Sequence, residues 1–191
     1  MGGDYTTPRR RAVFLDRDGT INVDTNFLIR PEDLQFIPGA QEAIAKLNQA
    51  GFLVVVVTNQ SGIARGYFSM EDVHKLHSYI QNELTLFGAT IDSFYICPHH
   101  PKYKGEQEEE CSCRKGKPGM LLQAAEELNI DLIQSVMIGD KRSDLEAGMA
   151  AGCQCYLVRT GYGEKYLDFA SENNIPISVD LLKAVEELLG C

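Results

Sequence analysis

Two carboxylates one residue apart, Asp16 and Asp18 in Asp16-Arg17-Asp18-Gly19-Thr20, carry the strongest chemical signal in this chain. They follow the short apolar run Ala12-Val-Phe-Leu15. If the extended geometry of a strand persists, positions i and i+2 face the same way. Like charges so placed repel, and either a shared proton or a divalent cation must hold them. Mg²⁺ takes one or two protein carboxylates together with substrate phosphate. Three further clusters accompany the pair. Thr58-Asn59-Gln60-Ser61 offers a hydroxyl and amides, and Gly139 to Asp144 brings more carboxylates. Arg114, Lys115 and Lys117 place cations just ahead of a helix N-terminus, itself suited to anions. Carboxylates for a metal, a hydroxyl donor and a lysine are the parts that phosphoryl transfer needs. Separately, Cys97, His99, Cys111 and Cys113 form Cys-x-His and Cys-x-Cys pairs, a set that suits a tetrahedral metal better than disulfides in a reducing compartment.

The elements that must position these residues alternate. Apolar runs read as strands at Arg11 to Leu15, Phe52 to Val57, Ile91 to Cys97, Ser135 to Ile138 and Cys153 to Val158. Helical periodicity covers Gly39 to Gly51, Ser69 to Gly88 with Ser69 as N-cap, Pro118 to Asn129, Ser143 to Ala151 and Asp180 to Leu189. In the third of these helices Leu121, Leu122, Ala125 and Leu128 are expected to face inward. Strands alternating with helices predict a three-layer α/β/α sandwich around a mainly parallel, Rossmann-like sheet, with ligands outside the carboxyl ends of the strands. Four of those ends carry the polar clusters above. No GxGxxG or GxxxxGK[ST] sequence is present, which removes most support for dinucleotide binders and P-loop enzymes.

A length of 191 residues points to one domain, with residues 1–10 expected to be a flexible N-terminal segment and 97–113 a metal-clipped loop. With 44% hydrophobic and 24% charged residues, the chain is an ordinary globular composition rather than a disordered or fibrous one. The longest apolar run is far short of a membrane span and no secretory leader is visible, so the cytoplasm is the expected compartment. A net charge of −9 disfavours a nucleic-acid partner. Glu106 to Glu110 reads as a solvated acidic loop, Cys153 and Cys155 as core packing, and His74 and His77 as surface or satisfied histidines. His100 is the spare histidine of its cluster, expected to be exposed, and nothing is assigned to Cys191.

In this order and on these elements, the motifs from Ala12 to Gly161 resemble the haloacid dehalogenase superfamily of aspartate-nucleophile phosphatases. More narrowly, Phe14 to Asp24, Val57 to Gly66, Cys97-Pro-His-His-Pro101, Cys113-Arg-Lys115 and Pro118-Gly-Met120 resemble the branch that dephosphorylates heptose bisphosphate, next to the histidinol-phosphatase branch. The resemblance implies Asp16 as nucleophile and Asp18 as the acid that protonates the leaving alkoxide and then activates water. It implies Thr58 and Lys115 as donors to the phosphoryl oxygens. Asp24, Thr25, Asn26, Phe27, Asn59, Gln60, Ser61, Arg114 and Lys141 would face the substrate. Mg²⁺ would be held by Asp16, the backbone carbonyl of Asp18 and Asp140, and structural Zn²⁺ by Cys97, His99, Cys111 and Cys113. Relatives often carry Arg-Lys-Pro-x-Pro-Gly where this chain has Arg114-Lys-Gly-Lys-Pro-Gly119, and alignment gives the phosphate contact to Lys115 rather than Lys117.

To serve as an acid Asp18 needs a raised pKa, and a neighbouring carboxylate in a shielded site would supply one. Ile21 to Pro38 is too short for a large cap domain, so an open site is expected, a shape that also admits larger substrates; the resemblance implies a small phosphorylated sugar as partner, and a monomer is expected. Histidinol-phosphate phosphatase, polynucleotide 3′-phosphatase and a non-enzymatic zinc-stabilised binding module are the competing readings.

Overall fold

The computed structural model describes residues 8–103 and 111–190. The N-terminal segment up to residue 7, the acidic Glu106 to Glu110 stretch and Cys191 lie outside the described residues. Six strands, β1 (Ala12–Leu15), β2 (Leu53–Asn59), β3 (Ser93–Cys97), β4 (Val136–Gly139), β5 (Gln154–Val158) and β6 (Ile177–Ser178), form a sheet in the order β3-β2-β1-β4-β5-β6. Every pairing is parallel, with Phe14 of β1 opposite Val55 of β2 on one side and Met137 of β4 on the other. The chain winds outward from β1 to β3 and then returns to lay β4 on the far side of β1. That reversal makes the crevice at the carboxyl ends of β1 and β4 the natural ligand site.

Helices α1 (Ala40–Gln49), α2 (Met70–Thr85), α3 (Gly119–Glu127), α4 (Arg142–Ala151), α5 (Leu167–Glu172) and α6 (Leu181–Leu189) connect the strands. Strand residues alternate between two cores. Val13, Leu15, Val54, Val56 and Ile138 pack with Ile44, Leu47, Leu76, Ile80 and Val185 of α1, α2 and α6. Phe14, Val55, Val57, Met137 and Leu157 pack with Met120, Leu121, Leu145 and Ala170 of α3, α4 and α5. Two buried faces explain why β1 and β2 read as unbroken apolar runs. Ser69 caps α2 as the sequence predicts, in a reciprocal capping box with Asp72.

Three features differ from the sequence reading. The inward stripe of α3 is Met120, Leu121 and Ala124, whereas Leu122 is 48% exposed. The helix axis is set by Leu121, and its neighbour then lies a third of a turn away, toward solvent. Strand β6 and helix α5 were outside the predicted elements, because two and six residues are too few to show a period. Extended geometry also stops at Leu15: the amides of Ile21 and Asn22 turn back to the Arg17 carbonyl. No cap domain interrupts the described chain, since residues 16–39 hold only a 3₁₀ turn at Pro31–Asp33.

Cys153 and Cys155 are buried in the second core, and burial pushes both thiols up to about 12. Helix α4 approaches the sheet there through Gly148, where a Cβ would stand 2.6 Å from Cys155 Sγ and 2.7 Å from Met137 Cβ. Gly148→Ala should therefore cost about 1–3 kcal/mol, read as a lower urea midpoint with unchanged denaturant slope.

Candidate active site

One pocket of about 160 Å³ opens at the carboxyl ends of the central strands, lined by residues that include Asp16, Asp18, Thr58, Gln60, Lys115 and Lys141. Asp24, Asn26, Phe27, Asn59 and Ser61 complete the part of its wall that the sequence predicts. Despite the turn after Leu15, both carboxylates of the Asp16/Asp18 pair thus reach one cavity. Thr25 and Arg114 do not line it. Thr25 belongs to a neighbouring cleft with Arg30 and Gln35, and Arg114 donates from Nη1 to the His99 carbonyl at 2.9 Å.

Lys115 is almost fully buried, with its Nζ 2.5 Å from Asp16 Oδ1 and 2.8 Å from Asp144 Oδ1. Burial alone would favour the neutral amine, but the charges of Asp144 and Asp16 outweigh it and hold the lysine cationic. Lys117 instead reaches the Cys111 carbonyl at 3.3 Å, so of these two lysines it is Lys115 that lines the pocket. Beneath the pocket, carboxylate oxygens of Asp16, Asp140 and Asp144 lie within 4.8 Å of one another. Burial first, then the charges of Asp16 and Asp144, push the Asp140 carboxyl up to about 8. Its Oδ2 accepts from the Tyr162 amide at 2.8 Å, while its buried Oδ1 has no hydrogen-bond partner among the described residues.

The Lys141 ammonium stands 3.6 Å from that orphan oxygen, 3.9 Å from Asp16 Oδ2 and 3.3 Å from the Asp18 carbonyl. A cation is therefore already drawn to the three oxygens that the sequence reading gave to a metal. An all-oxygen donor set with an unsatisfied buried carboxylate fits a hard divalent ion. The loop after β5 closes over the same point: Thr160 Oγ1 donates to the Gly19 carbonyl, and any side chain at Gly161 would collide with Asp140 Oδ2.

Asp18 departs from expectation. Burial raises its pKa, but the Arg17 guanidinium and hydrogen bonds from Asn22, Gln60 and Arg17 win, and the net shift is downward. Arg17 is fully buried and donates from Nε and Nη2 to Asp18. The repulsion between Asp16 and Asp18 that suggested a raised value is thus answered by a cation from the residue between them. Arg17 and Asp144 are the functional-site residues missed from sequence. The signals were present: an arginine between two aspartates at the end of a buried strand, and a second carboxylate four residues after Asp140.

Cys97, His99, Cys111 and Cys113 also come together, with ligand atoms within 4.8 Å of one another. Individual separations are 3.8 Å for Cys97 Sγ to Cys111 Sγ, 3.7 Å for Cys97 Sγ to His99 Nδ1 and 3.3 Å from that nitrogen to Cys113 Sγ. A tetrahedral zinc, with bonds of about 2.3 Å to sulfur and about 2.0 Å to nitrogen, spaces its ligands roughly 3.5–3.8 Å apart. The sulfurs are too far apart for a disulfide. The cluster fits a closed tetrahedral metal site. His100 stays outside it, with its Nε2 3.1 Å from Arg65 Nη2. His74 is exposed, and His77 is buried against Arg17.

The fold and this site define a hydrolase of the haloacid dehalogenase class, and residues 112–180 match the family model described as HAD-hydrolase-like. The chain is 48% identical over 152 residues to D-glycero-beta-D-manno-heptose-1,7-bisphosphate 7-phosphatase of Haemophilus influenzae, covering 79% of this chain and 83% of that protein. It is 41% identical over 186 residues to D-glycero-D-manno-heptose-1,7-bisphosphate 7-phosphatase of Thermosynechococcus vestitus, covering 93% and 94%. The crystal structure of D,D-heptose 1,7-bisphosphate phosphatase from B. bronchiseptica with magnesium and phosphate superposes with a TM-score of 0.85 at 36% identity, covering 94% of this chain and 98% of that one. The chain belongs to the D-glycero-D-manno-heptose-1,7-bisphosphate 7-phosphatase family.

Cys111→Ser should reduce bound zinc, measured by elemental analysis of the purified protein, to below one equivalent, and full occupancy would rule out the four-residue site.

Proposed function

We propose that this chain is a Mg²⁺-dependent phosphatase that removes the C7 phosphate of D-glycero-D-manno-heptose 1,7-bisphosphate, in nucleotide-activated heptose synthesis for the lipopolysaccharide core or S-layer. The observation that carries the reading is the convergence of Asp16, Asp18, Thr58 and Lys115 on one pocket in a chain of this family. Asp16 attacks phosphorus, the bond to the C7 oxygen breaks, and an aspartyl phosphate forms. Asp18 gives its proton to the departing alkoxide, then takes one from the water that cleaves the aspartyl phosphate. Inorganic phosphate leaves and Asp16 is restored.

Lys115 is built for this exchange, because its ammonium already bridges Asp16 and Asp144 and can follow charge from nucleophile to phosphoryl oxygen. The Thr58 hydroxyl, which accepts from Gln60 at 2.8 Å, keeps its own proton to donate to a phosphoryl oxygen. Asp18 begins ionised among its donors, and the arriving phosphate dianion raises its affinity for a proton, which it takes up from solvent water before giving it to the alkoxide. Asp16, the Asp18 carbonyl and Asp140 would hold Mg²⁺, which supplies positive charge where an anionic nucleophile meets a phosphate dianion. Zn²⁺ on Cys97, His99, Cys111 and Cys113 would be structural. Lys141, Asp24, Asn26 and Phe27 form the substrate-facing rim, together with Asn59, Gln60 and Ser61, whereas Thr25 and Arg114 lie off the pocket.

Reduced thiols at the zinc cluster suit the cytoplasm. The acidic surface supports a small-molecule substrate over a polynucleotide.

Phosphate release from heptose 1,7-bisphosphate and from histidinol phosphate, run in parallel with Mg²⁺, tests the substrate. Preference for the heptose with the C1 phosphate retained is expected, and preference for histidinol phosphate would move the protein to the neighbouring branch. Asp16→Asn and Asp18→Asn should each lower turnover by at least about 10²-fold while leaving the circular dichroism unchanged. Near-normal activity in either variant would sink the assignment.

A further inference from the structure

Arg17 spends its donors on few partners. Nε and Nη2 reach Asp18, at 3.1 Å to Oδ1 and 2.9 Å to Oδ2, and Nη2 also lies 3.3 Å from the Leu28 carbonyl. Nη1, at the opposite edge of the guanidinium plane, is 3.2 Å from Nε2 of His77 on α2. An arginine donates and never accepts, so Nε2 of His77 carries no proton here and the ring's hydrogen sits on Nδ1. The imidazole is only 3% exposed and lies stacked on Phe94 with ring centroids 4.3 Å apart. Burial, reinforced by the Arg17 charge, lowers its pKa to about 3 and keeps it a neutral acceptor. A histidine eight residues into a helix thus ends in a contact with the residue that grips Asp18.

We infer that His77 is a positioning residue for the phosphatase reaction: by accepting from Arg17 Nη1 it fixes the guanidinium plane that holds the Asp18 carboxylate. The inference rests on the reading of Asp18 as acid and base. Asp18 also accepts from Asn22 and Gln60 at 2.9 Å each, but those amides constrain single oxygens. The arginine fork reaches both oxygens at once and so sets the plane of the carboxylate, and the fork is anchored by the Leu28 carbonyl on Nη2 and, at its far edge, by His77 on Nη1. Proton transfer needs the carboxylate in hydrogen-bond reach of the leaving oxygen, and misplacement by about 1 Å can cost as much as 10²-fold. His77 has no route to the substrate itself, since it does not line the pocket.

The test compares wild type, His77→Phe and His77→Gln on heptose 1,7-bisphosphate with Mg²⁺. Phenylalanine keeps the stack on Phe94 and removes the acceptor. Glutamine can return an oxygen acceptor near the place of Nε2. Loss of an interaction that matters in the transition state is expected to lower kcat about tenfold in His77→Phe with KM within about twofold, and His77→Gln to recover kcat to within about threefold of wild type. A His77→Phe enzyme with wild-type kcat overturns the inference, as does a His77→Gln enzyme equally slow at the same melting temperature. Should His77→Phe fail to fold, ¹⁵N NMR of the wild-type imidazoles decides the contact: protonated Nδ1 and bare Nε2 are expected at His77, and a proton on Nε2 overturns it. A wild-type enzyme silent on the heptose bisphosphate is a failure of the functional reading and not of the contact, which the tautomer reports independently.

Discussion

Three carboxylates forced together under one pocket are the constraint around which the rest of this molecule is arranged. Asp16, Asp140 and Asp144 come from the ends of β1 and β4 and from the start of α4, and their oxygens lie within 4.8 Å. Such a cluster is costly to bury, and two ammonium groups from different parts of the chain offset it. Lys115 bridges Asp16 and Asp144, and Lys141 leans on Asp16, Asp24 and Asp140. Asp140, pushed up to about 8, holds its proton near neutral pH, and a divalent ion would displace it. An all-oxygen donor set with an unsatisfied buried carboxylate oxygen is what suits the pocket to a divalent ion.

The cysteine and histidine cluster serves the same balance from a distance. Cys97 ends β3 and Cys113 lies six residues ahead of α3, so a metal there ties a strand end to a helix start. Arg114 and Lys117 are both hydrogen-bonded to carbonyls of cluster residues, His99 and Cys111. Lys115, between them, is directed the other way, with its amide on Asn59 and its ammonium in the carboxylate nest. A stretch with little apolar side chain to bury is thereby given a fixed geometry through its backbone.

Much of this was legible in the sequence because it depends on local pattern. Unbroken apolar runs pointed to the parallel sheet, Ser69 marked a helix start, and polar clusters after strands located the site. What stayed hidden depends on partners far apart in sequence or on spans too short to show a period. Ile177–Ser178 joins the sheet through pairing with β5 alone. Leu122 faces solvent because tertiary packing, not the local pattern, chose Leu121 as the centre of the α3 face. Asp18 reversed its expected shift because Arg17, given no role by the sequence reading, turned inward and paired with it. The chemistry of a residue type was readable; the direction in which its side chain turned was not.

Among the described residues no lid stands between the pocket and solvent, and the wall nearest the mouth is a short turn in which Asn26 and Phe27 both adopt left-handed backbone. Enzymes that enclose their substrates often pay for it in tempo, because opening and product escape then limit each cycle. A pocket that stays partly open to solvent leaves water at hand throughout, which the proposed cleavage of an aspartyl phosphate would consume. Discrimination among sugars would then fall to a rim of side chains rather than to the fit of a closing door.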